Sequence, residues 1–290
     1  MLSAIRVRGA AGWIRRRAIE LADRPAVALR RTVAALRGEA GPARPLPPRR
    51  LRARTGAPGI REFVEGGQSA AVELERALTG AELPVLGDYA SLLDFGCGSG
   101  RVLPHVQALA PGAQCAGCDV DEVAIAWAQR ALPGLRFAVS RAEPPLPFTA
   151  GSFELLYSIS VFSHLDEQLQ DRWLAELQRM LSPGGVALLT VHGAHAHEQF
   201  RSGAVSTGWC PPEAFAGGPL GSDAFRFVPY TRSRWNKGEL PGVGADYGLA
   251  FHGEGYLRRR WADFFEVVDI TPHAIAGWQD VVVCRKRGGG

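Results

Sequence analysis

From Ser91 onward, apolar residues fall into two alternating kinds of block. The run "LLDF" is compact and stops on glycines, and Leu103 and Val106 then recur at helical spacing behind it. The exchange repeats down the chain. It predicts strands at 91–95, 114–119, 135–139, 153–159 and 185–191, and helices over about 99–109, 121–131 and 166–181. Strands separated by helices of this length imply βαβ units, so the predicted fold class is α/β: a doubly wound, mostly parallel sheet covered on both faces. After Val191 the rhythm gives way to about fifty residues rich in Gly, Pro, His and aromatics. We read 194–250 as an insertion forming a lid over a substrate, because loops of that length in compact domains usually serve binding. The tail, "GYLRRRWADFFEVVDI" then "QDVVVCRK", reads as helix, strand, strand. Its two strands lie too close for a helical crossover and should pair antiparallel at the sheet edge.

Ahead of the sheet the pattern changes. Leu2 to Arg37 sets Trp13, Ile14, Ile19, Leu21, Leu29, Val33 and Leu36 among arginines, which predicts one or two basic amphipathic helices interrupted at Pro25. "GEAGPARPLPPRRLRART" is too rich in Pro and Gly to continue them and reads as extended linker. The division expected is therefore an arm and linker at 1–55 and a catalytic domain at 56–290. Within the latter, Gly66 and Gly67 predict a bend in a helical stretch that stops near Gly80.

Charge sharpens that division. Residues 1–54 hold fourteen arginines against Glu20, Asp23 and Glu39, a net +11, so a chain of net +4 has a body of −7. With 290 residues and 46% hydrophobic content, one sizeable core with an appendage is expected. No apolar run reaches the roughly 20 residues of a bilayer span, and the N-terminus lacks a secretion signal's apolar core. Five scattered cysteines give no disulfide framework, so a cytoplasmic setting is expected. Cys115 and Cys118 form a CxxC, but on a strand the two thiols point to opposite faces, so no metal site is predicted.

The stretch "SLLDFGCGSGRVLP" carries the chemistry. Glycines at 96, 98 and 100 allow positive φ and let a ligand rest against bare backbone where a strand hands over to a helix. A dinucleotide fingerprint needs a third glycine where Arg101 stands, and a Walker-type loop needs a lysine that is absent here. The pattern is instead Asp-x-Gly-x-Gly-x-Gly, and "LLDFGCGSGRV" resembles the first motif of class I S-adenosylmethionine-dependent methyltransferases. "CAGCDVDEVAIAWA", "VSRAEPPLPF", "FELLYSISVFSHL" and "LSPGGVALLTV" resemble that family's next four segments, in order and at its spacings, over residues 91–191.

The resemblance implies a seven-stranded Rossmann-like sheet with S-adenosyl-L-methionine as cofactor. By position it implies that Asp94 orients the turn, that Gly96, Gly98 and Gly100 line the cofactor seat, and that Asp119 holds ribose. Ala142 and Glu143 would border adenine, and Ser158 would edge the pocket from the fourth strand. Arg141 stands where relatives often carry an aspartate that accepts from the adenine amino group.

The sulfonium methyl is already activated, so a catalytic base is needed only if the acceptor must lose a proton. His192, after the fifth strand, is the first candidate and His164, after the fourth, the second; His195, His197 and His252 flank the insertion. The resemblance implies a small-molecule, sugar or glycan acceptor, with oxygen receiving the methyl. Trp209, Phe225, Phe227, Tyr230 and Trp235 are available to stack on it, or to pack a lid core, and Arg226, Arg232 and Arg234 are available to an anionic group. For residues 1–37 the partners weighed are an anionic membrane surface at its inner face and a partner enzyme. An RNA acceptor is disfavoured by the acidic body. A non-catalytic binding module and a nicotinamide dehydrogenase are the rival classes.

Overall fold

The computed structural model describes residues 44–206, 210–231 and 247–288, with the backbone of residues 6–7. The helices expected within 2–37, and Trp209, Arg232, Arg234 and Trp235, lie outside the described residues. In chain order the elements are α1 (Arg49–Arg54), α2 (Ile60–Gly80), β1 (Ser91–Phe95), α3 (Leu103–Leu109), β2 (Gln114–Asp119), α4 (Glu122–Ala131) and β3 (Arg136–Val139). There follow β4 (Phe153–Ser158), α5 (Glu167–Met180), β5 (Leu181–Val191), α6 (Ala194–Arg201), β6 (Phe225–Pro229), β7 (Gly248–His252), α7 (Glu254–Arg260), β8 (Glu266–Ile275) and β9 (Gln279–Arg285).

Seven strands form one sheet in the order β3-β2-β1-β4-β5-β9-β8. The first five are parallel, and β9 runs antiparallel to both β5 and β8, as the short connection between the last two strands requires. Leu92 and Leu93 show why the central strands read as unbroken apolar runs. Leu92 packs with Leu155, Leu188 and the α2–α3 side, whereas Leu93 packs with Leu156, Leu189 and Trp173 on the α5 side. Cys115 and Cys118 divide the same way between the two cores, both as free thiols, which is the geometry that a shared metal would not tolerate.

Two local expectations are corrected. The glycines at 66 and 67 do not bend the chain, because α2 runs unbroken from Ile60 to Gly80. They admit a neighbour instead: a Cβ on Gly67 would sit 2.1 Å from the Arg101 carbonyl oxygen, so the helix rests on the backbone just past the glycine turn. The stretch read as extended linker is helical over Arg49–Arg54, with Leu51 buried and the Arg52 guanidinium spent on the carbonyls of Pro47 and Pro58. The insertion builds a satellite core from Phe200, Phe215, Val228, Leu249 and Phe251, closed by β6 pairing antiparallel with β7.

Candidate active site

The chain leaves β1 by hydrogen-bonding to the strand beside it. Gly96 and Cys97 donate their amides to the Cys118 carbonyl of β2 at 2.8 and 3.0 Å, and the three glycines take φ of 82°, 54° and 76°. The turn extends through Arg101, so α3 begins at Leu103 rather than at about 99. Gly98 then donates its amide to Asp119 Oδ2 at 2.7 Å, while Asp119 Oδ1 accepts from the Asp121 amide at 2.8 Å. Asp121 caps α4 through the amides of Val123 and Ala124, and its other oxygen takes the Arg54 guanidinium of α1. Burial raises the Asp119 carboxyl above the ordinary range, and the backbone donors oppose that rise.

Asp94 lies beneath the turn, 3% exposed, with Tyr157 as its register partner on β4. Burial pushes its carboxyl up to about 7, with the Tyr157 hydroxyl and the Arg101 guanidinium opposing and Asp119 reinforcing. The other residues named for the cofactor differ in exposure. Ala142 is half-buried, and Glu143 is exposed with its carboxylate 3.7 Å from Arg172 on α5. Ser158 is fully buried at the end of β4, and its hydroxyl has no hydrogen-bond partner.

The two candidate bases meet. His164 and His192 lie edge to face with ring centroids 5.8 Å apart. His164 Nδ1 is 3.0 Å from the Gly248 carbonyl, which can only accept, so the proton sits on Nδ1 and Nε2 is left as the acceptor. The Tyr230 hydroxyl also reaches that nitrogen at 2.8 Å, and Tyr247 stacks on the ring. His192 is 3% exposed and its Nδ1 has no partner. Burial, then the neighbouring His164 and His252, hold its pKa well below 6.5, so it is neutral at physiological pH. His252 is structural: Gln170 donates to the Phe162 and Leu165 carbonyls, which turns its Oε1 toward His252 Nε2 at 2.9 Å. His197 Nε2 accepts from Arg226, whose guanidinium also serves the Ala214 and Ala216 carbonyls. Arg226 is therefore not free for an anionic group, contrary to expectation. Tyr230 is buried beside His164, and Phe225 packs on Tyr256 and His252.

Residues 92–185 match the family model described as a methyltransferase domain. Over this segment the chain is similar to a methyltransferase domain. Trans-aconitate 2-methyltransferase of Deinococcus radiodurans is 34% identical over 114 residues, 39% of this chain and 42% of that protein. An uncharacterized protein of Rickettsia prowazekii is 26% identical over 105 residues, 35% of this chain and 42% of its own. The chain thus matches less than half the length of either relative. The PH0226 protein of Pyrococcus horikoshii, 15% identical, shares the fold with a TM-score of 0.53 over 78% of this chain and 95% of its own.

The polar groups around the glycine turn fit S-adenosyl-L-methionine, the cofactor that the resemblance implies. A carboxylate at the end of β2 with lone pairs beyond its two backbone donors and the unpartnered Ser158 hydroxyl suit a ligand rich in hydroxyl and amino groups, while the side-chain space at the three left-handed glycines is filled by Val161, Thr55 and Leu132. The sequence reading missed two contributors, Arg54, which ties α1 to the start of α4, and Gln279, and it named Tyr230 for stacking rather than for its contact with His164 Nδ1.

Proposed function

We propose that the chain binds S-adenosyl-L-methionine and methylates a small-molecule acceptor at oxygen. The observation that carries this reading is the hydrogen bond from the Gly98 amide to Asp119 Oδ2, 2.7 Å, which couples the bare turn to the carboxylate facing it. The cofactor, when bound, supplies a methyl group on a positively charged sulfur. The chain's own work is to seat it and to present a deprotonated acceptor. The turn Gly96–Gly100 offers backbone to the amino-acid part, Asp119 accepts from the ribose hydroxyls, Ala142 and Glu143 border adenine, and Ser158 edges the pocket from β4. His192 Nδ1, neutral and unpartnered, takes the acceptor's proton, while Phe251 and Trp278 against its ring keep water away. His164 Nε2 is the second acceptor of a proton. The Deinococcus relative is named for a carboxylate-bearing small molecule, which supports the small-molecule reading.

Isothermal titration with S-adenosylmethionine, S-adenosylhomocysteine and NAD tests the proposal. Binding of the first two and not the third is expected; binding of NAD alone, or of none, overturns it. Transfer of labelled methyl into a small-molecule fraction, abolished by His192→Ala, tests the base.

A further inference from the structure

The last hairpin brings a second hydrogen-bonding group to the candidate base. In the antiparallel pairing of β9 with β5, Asp280 lies opposite Val191, and Gln279 and His192 are the residues that flank this last pair on the two strands. Gln279 is 5% exposed, and its Nε2 donates to Ser160 Oγ at 2.8 Å. Ser160 is itself locked: it holds φ of 61°, a conformation few residues other than glycine adopt, and donates its amide to Thr190 Oγ1 at 2.8 Å. With Nε2 bonded to Ser160 Oγ, Oε1 is buried without a partner. His192 Nδ1 is the second buried acceptor without a partner on the adjoining strand. Buried acceptors left unpaired at the carboxyl ends of β4 and β5 are costly unless a ligand satisfies them.

We infer that Gln279 and His192 together hold a vicinal diol: one hydroxyl of the methyl acceptor donates to His192 Nδ1 and the adjacent hydroxyl to Gln279 Oε1. This deepens the function proposed above and rests on it. A sugar-like diol and a catechol share this chemistry. A polycarboxylate does not, because two acceptors cannot pair with carboxylate oxygens, and the Arg226 guanidinium is consumed within the insertion.

The test uses the full chain saturated with S-adenosylhomocysteine and reads probe binding by calorimetry. Catechol is compared with phenol, and trans-1,2-cyclohexanediol with cyclohexanol. At least one diol is expected to bind about tenfold more tightly than its monohydroxyl counterpart. Gln279→Leu removes that preference, Gln279→Glu keeps an acceptor and retains it, and both variants bind S-adenosylhomocysteine as the parent does. Failure of the parent to bind S-adenosylhomocysteine sinks the proposed function itself. Normal binding of that compound with no diol preference overturns only the role of Gln279, as does a preference that survives in Gln279→Leu or tighter binding of trans-aconitate than of either diol.

Discussion

Gly98 and Asp119 are 21 residues apart in sequence, yet the amide of one and the carboxylate of the other meet at 2.7 Å. The turn and the end of β2 therefore stand or fall together. Asp119→Ala removes the carboxylate proposed to accept from the ribose and also frees the Gly98 and Asp121 amides. Hydrogen bonds to a charged group contribute about 1.5–3 kcal/mol each, so loss of two predicts at least about a hundredfold weaker binding of S-adenosylhomocysteine by titration calorimetry.

The turn tolerates no side chain at its first glycine. A Cβ on Gly96 would lie 2.3 Å from Val161 Cγ2, at a φ of 82° that side chains resist. Gly96→Ala is expected to destabilise the fold by about 1–3 kcal/mol. Adding Val161→Ala relieves the collision but not the backbone strain, so thermal melts of the double variant should recover only part of the loss.

Buried imidazoles make an unusual pH profile. Burial lowers the pKa of both His164 and His192 below the ordinary 6.5, leaving each neutral and able to accept a proton. Methyl transfer should therefore hold steady as pH falls from neutrality through 6.5, where an exposed histidine base would already fail. A pH–kcat/KM profile that halves near 6.5 contradicts this assignment.

Asp94 makes stability depend on pH in the other sense. Its folded pKa, about 7, is above the 3.8 of an unhindered aspartate, so the folded chain binds the proton more tightly than the unfolded chain. The resulting stabilisation is complete below about 4 and is lost as pH rises through 7. Asp94→Asn cannot titrate. The parent should therefore lose stability relative to this variant between pH 4 and 7, as measured by paired denaturant melts.

The backbone plan was legible because each strand and helix carries its period locally. Leu92 and Leu93 face opposite cores, and that is written in an apolar run bounded by a glycine turn. The residues proposed for the cofactor are grouped locally for a related reason: Asp94, Gly96, Gly98 and Gly100 lie within one turn, and Asp119 ends the next strand. Contacts across large separations leave no such trace. Tyr230 reaches His164 over 66 residues, His252 reaches Gln170 over 82, and Gln279 reaches Ser160 over 119. Nothing in the neighbourhood of any one of these residues names its partner. Gly66 and Gly67 misled for a subtler reason, since a glycine that admits a neighbouring backbone looks the same in sequence as one that breaks a helix.

The ion pair between Arg54 and Asp121 makes a hinge pin of one guanidinium. Asp121 anchors the start of α4 and hydrogen-bonds to Asp119, while Arg54 ends the short helix that emerges from the arginine-rich stretch. The glycine turn and the start of α4 are thereby moored, through Asp119 and Asp121, to the helix that precedes α2.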